Sequence, residues 1–151
     1  MAEHPRIDVM VDVVALTEAD GALLVLVVRR GKPPFEGWWA LPGGYLEIEE
    51  DLAPAAAREL HEETGVALDP DEIRQLGAFG APGRDPRNRT VSVAFLAELD
   101  EGAEAEGGSD ADDATWRSVT DLLREDTLAF DHATILRDGV AASRWASVLP
   151  R

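Results

Sequence analysis

Residues 39–66 read WALPGGYLEIEEDLAPAAARELHEETGV: a short β-prone stretch, a glycine pair, then a helix with both ends marked. Asp51 is a ready N-cap and Gly65 a ready residue for the left-handed turn that closes a helix. Pro54 falls in the first turn, where its missing N–H costs little. Leu52, Ala55, Ala56 and Leu60 supply an apolar stripe at helical spacing. Glu59 and Glu62 are three apart, Glu59 and Glu63 four apart, so the three carboxylates share one side of the helix. Such like-charge pairs destabilise an isolated helix by roughly a few tenths of a kcal/mol each. A divalent cation held among them reverses that sign. Carboxylates, carbonyls and water form a hard oxygen set suited to Mg²⁺ or Mn²⁺. Arg58 stands beside the cluster to neutralise and orient it, and Glu50 comes from the helix start. Gly43 and Gly44 let the backbone approach a ligand and turn sharply, with carbonyls open to a metal. The competing reading is a solvated acidic face in a chain rich in acids.

Before this stretch, Ile7, Val9, Val11 and Val13 alternate with Asp8, Met10 and Asp12, the period of a strand with one wet face. A turn at 18–21 and the Leu/Val run Ala22–Val28 complete a hairpin, its second strand buried on both faces. Gly31–Gly37 holds Pro33-Pro34 and reads as loop, and Trp38–Leu41 as a short strand ended by Pro42-Gly43-Gly44. After the helix, Ile73–Phe79 and Val91–Leu96 read as strands flanking a loop at 80–89. Asp100–Asp113 carries seven acids and no base, a solvated loop. Ala114–Val119 is a further strand, Thr120–Arg124 a short helix and Asp131–Trp145 a longer one, interrupted by Gly139. Strands and helices do not alternate as a doubly wound sheet requires. The expected class is therefore α+β, helices packed on a mixed sheet, with residues 1–151 forming one domain.

The charge balance removes several function classes. Fourteen Lys+Arg against 30 Asp+Glu give a formal net charge of −16. Such a surface repels nucleic-acid backbones and anionic membranes, so neither is an expected partner. No cysteine is present, which excludes disulfides, thiolate catalysis and metal–thiolate centres. The N-terminus lacks a basic stretch leading into an apolar core, and the longest apolar run is far too short to span a bilayer. A cytoplasmic protein is the expectation.

Gly44, five residues, Glu50, seven residues, Arg58-Glu59-Leu60, one residue, Glu62-Glu63, one residue, Gly65-Val66: this spacing resembles the Nudix box, with every specified position filled. The resemblance implies hydrolysis of a nucleoside diphosphate linked to another group, on an α/β/α sandwich that packs the box helix and a C-terminal helix on a mixed sheet. It implies a metal site at Gly44, Glu59, Glu62 and Glu63, and catalytic roles for Arg58, Glu59, Glu62 and Glu50. The general base in this family is a box glutamate or an acid on a distant loop, here Asp110, Asp112 or Asp113. Physical logic agrees, because an acidic protein binds a diphosphate only through cations or a local basic patch. Mg²⁺ (or Mn²⁺) screens the repulsion and lowers the pKa of a bound water.

Substrate choice lies outside the box. Gly83–Arg89 concentrates Arg84, Arg87 and Arg89, whose forks suit phosphate recognition. The segment Phe79–Val93, and Leu128–His132 followed by Ile135-Leu136, are similar to the ADP-ribose pyrophosphatase branch. That resemblance implies cleavage of ADP-ribose to AMP and ribose 5-phosphate, and a possible homodimer. A nucleoside triphosphate pyrophosphohydrolase and a non-catalytic ADP-ribose sensor are the alternatives. The sensor is disfavoured here because few residues follow Trp145 to build a DNA-binding unit. His132 reads as a capping or packing residue, and Trp39 as the tryptophan best placed for the core.

Overall fold

The computed structural model describes residues 3–102 and 111–149. Its strands are β1 (Asp8–Ala19), β2 (Ala22–Arg30), β3 (Trp39–Ala40), β4 (Gly43–Tyr45), β5 (Arg74–Phe79), β6 (Thr90–Glu98) and β7 (Ala111–Ser118). Its α-helices are α1 (Leu52–Thr64), α2 (Val119–Glu125) and α3 (His132–Ala142). The sheet runs β3-β2-β1-β6-β5, with β4 also paired to β1 and β7 to β2. The β1–β6 pair is parallel and the others are antiparallel, which makes the sheet mixed.

Two apolar layers hold helices against opposite faces of this sheet. Val11, Val13 and Ala15 of β1 pack with Ala55, Ala56 and Leu60 of α1. Val14 and Leu16 of the same strand point the other way and pack with Leu122 of α2 and Ile135, Leu136 and Val140 of α3. The period-two alternation of β1 thus feeds both layers, and the arrangement is the α/β/α sandwich expected.

One irregularity in the sheet makes room for a site. β1 meets β2 only at Leu16–Ala19, while farther back Met10–Asp12 pair with Gly43–Tyr45 of β4. Since β6 occupies the other edge of β1, β2 and β4 share a single edge, and β1 and β2 diverge between them. Val13 N donates to Pro42 O at 2.9 Å and Leu46 N to Val9 O at 3.0 Å, fixing the inserted strand.

Four expectations need correction. Gly43 and Gly44 do not form a sharp turn but lie extended in β4. The strand expected over Trp38–Leu41 shrinks to Trp39–Ala40. The C-terminal helix stops at Ala142, followed by a single 3₁₀ turn at Ala146–Val148. β7 begins at Ala111 and so takes in the end of the stretch expected as loop. Trp39, half-buried, does pack against the core as expected, with the Arg29 and Arg117 guanidiniums 5.8 and 5.4 Å from its ring. Among the described residues, no helix is long and apolar enough to cross a membrane.

Candidate active site

The helix that carries the carboxylates is clamped at both ends as its sequence requires. Asp51 accepts from Leu52 N at 2.7 Å, and Gly65, at φ 76°, donates to His61 O at 2.9 Å. Its buried stripe of Ala55, Ala56 and Leu60 sets the rotation of α1, which turns Arg58, Glu59, Glu62 and Glu63 toward the cleft beside β4. Arg58 ties the cluster together. It donates to both oxygens of Glu50 (2.9 and 2.5 Å), to Glu59 Oε1 (2.9 Å), to Glu62 Oε2 (3.2 Å) and to the Tyr45 carbonyl (3.3 Å). That hydrogen bonding holds the Glu50 carboxyl below the usual carboxylate range. Burial dominates at Glu59 and pushes its carboxyl up.

Gly43 and Gly44 are needed for space. Gly43 N donates to Glu63 Oε1 at 2.9 Å. A Cβ on Gly44 would sit 2.5 Å from Glu59 Oε1, and one on Gly43 would run into the Val11 carbonyl and Asp12. The glycine pair therefore brings bare backbone against the box carboxylates.

The cleft has a volume of about 490 Å³, and besides the glutamates it is lined by Arg30, Arg84 and Arg87 with buried polar partners. Asp12 is 4% exposed on its floor, accepting from Ser92 Oγ at 2.5 Å. His132 is equally buried. Its Nδ1 accepts from Leu41 N at 3.0 Å, which leaves the proton of the neutral ring on Nε2, 3.6 Å from Asp12 Oδ1. Burial raises the Asp12 pKa and lowers that of His132. Arg84 grips Asp131 with Nε and Nη2 (2.9 and 2.7 Å), donates to Thr90 Oγ1 at 3.0 Å, and lies 4.0 Å from Asp12. Arg87 is bidentate on Asp85 (3.0 and 2.7 Å), and Arg30 lines the same cleft.

The structure thus brings Gly44, Arg58, Glu59, Glu62 and Glu63 to the same cleft as Arg84 and Arg87. Glu50 anchors the box arginine from the helix start. Arg89 is exposed, is not among the lining residues, and among the described residues its side chain donates to Thr90 O at 3.3 Å. The full fork of Arg84 is engaged by protein partners, which suits it to positioning Asp131 more than to reading a ligand directly. Asp112 and Asp113 fall within the backbone of β7, not in a loop, and Asp110 lies outside the described residues.

Sequence reasoning missed Asp12, assigned to the wet face of its strand, and it missed Arg30 and Phe130. Asp12 left no local signal, since its burial comes from packing that the alternation of β1 does not show. Arg30, one of an arginine pair ending an apolar strand, left none.

The donor set fits a hard divalent cation. Glu59 and the bare Gly44 backbone face each other, and the burial that raises Glu59 is the kind a cation offsets. Among the described residues, no group of three or more acidic or histidine side chains is placed to hold a metal ion by itself. Mg²⁺ does not require one, being held by one or two carboxylates while phosphate and water fill its other positions.

Residues 7–139 match the NUDIX domain family. The chain is 39% identical over 114 residues to an ADP-ribose pyrophosphatase of Methanocaldococcus jannaschii, covering 76% of this chain and 64% of that protein. It is 31% identical over 142 residues to the ADPR responsive transcriptional repressor NtrR of Acinetobacter baylyi, covering 93% of this chain and 56% of the repressor. Both relatives are therefore considerably longer than the part matched. Among solved structures, the NUDIX domain of Shewanella oneidensis NrtR complexed with ADP ribose superposes with a TM-score of 0.81. It is 32% identical, and the match covers 89% of this chain and 87% of that one.

Proposed function

The chain belongs to the NUDIX family, and from that premise we propose that it is a divalent-cation-dependent pyrophosphohydrolase that cleaves ADP-ribose to AMP and ribose 5-phosphate. The proposal takes residues 1–151 as one catalytic domain, acting in the cytoplasm on a small nucleoside diphosphate derivative with no nucleic-acid partner. The observation that carries it is one cleft lined both by the Arg58-tied glutamates with the Gly44 backbone and by arginines. A diphosphate in that cleft would meet the cation held by the glutamates and the arginine charges together.

Glu59 and the Gly44 backbone would hold the cation, Mg²⁺ or Mn²⁺, with Glu62 or Glu63 of the same cluster as a further ligand. When bound, it supplies charge neutralisation at the phosphates and a more acidic water. Arg58 keeps Glu59 and Glu62 oriented through hydrogen bonds anchored on Glu50. Glu63 fixes the Gly43 amide and with it the course of β4. Glu62, 54% exposed and held by a single 3.2 Å bond to Arg58, has the freedom to accept the proton of the attacking water. Asp110, Asp112 and Asp113 remain candidates for the same task. Arg87 lies along the path of the diphosphate, and Arg84 acts behind it by fixing Asp131. Arg89 would contribute only at the rim.

A hydrolysis screen over ADP-ribose, dinucleotides, nucleotide sugars and triphosphates with Mg²⁺ and Mn²⁺ tests this. AMP and ribose 5-phosphate are expected from ADP-ribose. Preferred turnover of a triphosphate with release of inorganic pyrophosphate overturns the substrate assignment. The likeness to the ADPR responsive repressor supports a second reading, an ADP-ribose sensor. Tight binding of ADP-ribose with no cation-dependent turnover selects it.

A further inference from the structure

The stretch that delivers Gly43 and Gly44 to the box carboxylates is tied to a distant helix by a single side chain. Trp39, two residues upstream of Leu41, is bridged in parallel to Leu128. Its N–H donates to Thr127 O at 3.0 Å, and its carbonyl accepts from Ala129 N at 2.8 Å. In a parallel ladder the next donor, Leu41 N, would go to the Ala129 carbonyl. That carbonyl instead accepts from His132 N at 3.1 Å, as the chain turns through Phe130, at φ 55°, into α3. The imidazole takes the vacated place, and Leu41 N donates to His132 Nδ1 at 3.0 Å. Leu41 is 2% exposed. Without that acceptor its N–H would be stranded, at a cost of about 1–3 kcal/mol.

The neighbouring handles on this stretch are of another kind. Pro42 has no N–H, and its carbonyl accepts from Val13 N at 2.9 Å. Gly43 N donates to Glu63 Oε1 at 2.9 Å, a side chain that is itself a candidate cation ligand. The Leu41 amide is thus the last donor ahead of the glycine pair, and its acceptor lies outside the box. Asp12 backs the same stretch. Its Oδ1, 3.6 Å from His132 Nε2, stands directly against Gly43 where a Cβ would be. Ser92 Oγ donates to Asp12 Oδ2, and Arg84 grips Asp131, the residue just before His132. The ring is therefore fixed from β1 and from the start of α3 together. Nδ1 accepts only while the ring is neutral. The charged groups around it are Asp12 of β1, Asp131 ahead of α3, Arg84 of the loop before β6 and Arg30 of β2. Burial outweighs them and holds its pKa below the ordinary range, which preserves the accepting form.

We propose that His132 is a positioning residue for the cation site: by accepting from the Leu41 amide it sets where Gly43 and Gly44 stand against Glu63 and Glu59. The inference rests on the cation site proposed above, but on no particular substrate. Groups that orient a metal's ligands from behind commonly carry a tenfold to hundredfold share of its affinity.

Mn²⁺ is titrated into the full chain without substrate, the free ion being read by electron paramagnetic resonance. The unmodified protein is compared with His132→Asn, whose amide oxygen can replace Nδ1 as acceptor, and with His132→Leu, which fills the space and accepts nothing. His132→Leu is expected to bind Mn²⁺ about tenfold to a hundredfold more weakly, and His132→Asn within about threefold of the unmodified protein. A merely structural role lowers the melting temperature and leaves the Mn²⁺ affinity of the folded chain as it was. That result overturns the proposal, and so does equal weakening in both variants. Failure of the unmodified chain to bind Mn²⁺ overturns the cation site and this inference with it, whereas binding that His132→Leu leaves intact overturns this inference alone. Should His132→Leu not fold, amide hydrogen exchange of the unmodified chain decides. By reciprocity, a cation whose binding needs the Leu41 bond also strengthens that bond. Saturating Mg²⁺ then slows exchange at Leu41 N more than at Val140 N in α3, and a uniform slowing, or none, refutes the coupling.

Discussion

At Gly44 the absence of a side chain is itself functional. A methyl group there would stand 2.5 Å from Glu59 Oε1, but that oxygen is the far end of a flexible side chain and can swing away. Gly44→Ala is therefore expected to fold almost normally while displacing the Glu59 carboxylate from its place against the Gly44 backbone. Cation-supported kcat/KM should fall about a hundredfold or more, the range seen when a metal ligand or its support is lost. Glu59→Gln should match it, because it removes the charge without moving the backbone. Steady-state kinetics with Mg²⁺, beside circular dichroism, checks both, and a Gly44→Ala protein of normal activity would contradict the cation site. The box residues were legible because their spacing is local: one helix face carries Arg58, Glu59, Glu62 and Glu63, and Gly44 and Glu50 stand just before it. Asp12 was not, since its alternation with Val11 and Val13 correctly places it on the opposite face of β1, while nothing local says that this face lies under a cleft. His132 was expected to pack or cap. Its actual bond, to the Leu41 amide, joins residues 91 apart in sequence.

Elements whose ends are written in their own residues were read to within a residue. The box helix begins after Asp51 and ends at Gly65, and the short helix at Val119–Glu125 overlaps the expected 120–124. By contrast, β4 was missed because Gly43-Gly44-Tyr45 has little strand propensity of its own and is extended only through its pairing with β1. Gly139 looked like a weakness in α3, and packing explains it. A Cβ there would lie 2.8 Å from Val14 Cγ1, so the missing side chain lets α3 settle onto the sheet. Gly139→Ala should gain up to about 1 kcal/mol in helix propensity and lose about 1–3 kcal/mol to overpacking. The expected net is a destabilisation of about 1 kcal/mol, read from urea unfolding. Val14→Ala in the same chain should remove most of the clash, so the double variant is less destabilised than the sum of the singles. A stabilising Gly139→Ala would show that the helix–sheet contact has slack.

Over the whole molecule, the sheet order could not be inferred from its strands, because the parallel β1–β6 pair joins segments about eighty residues apart in the chain. That pair also sets Ser92 against Asp12, and with His132 from α3 it buries an acid and a base together between layers. The pair makes global stability depend on pH in a defined direction. Burial lowers the His132 pKa below its ordinary 6.5, so the unfolded chain takes up a proton that the folded chain refuses. Its contribution is complete above pH 6.5 and declines as pH falls from there toward the lowered folded value. Asp12 acts oppositely. Its pKa is raised above 3.8, so the folded state protonates first and gains stability as pH falls toward 3.8. Protonation of the many surface carboxylates also relieves self-repulsion, but chiefly in the ordinary carboxylate range, well below pH 6.5. Below pH 6.5 the histidine adds a downward slope of at most about 1.4 kcal/mol per pH unit for one group, and Asp12 opposes it. Urea unfolding at a series of pH values between about 7 and 5.5 should therefore show that contribution as a difference from a variant without the imidazole. In His132→Gln, where the amide oxygen can still accept from the Leu41 N–H, stability should fall less, or rise more, as pH is lowered over the same interval. An equal slope in both proteins would mean that the buried imidazole is not what couples this fold to protons.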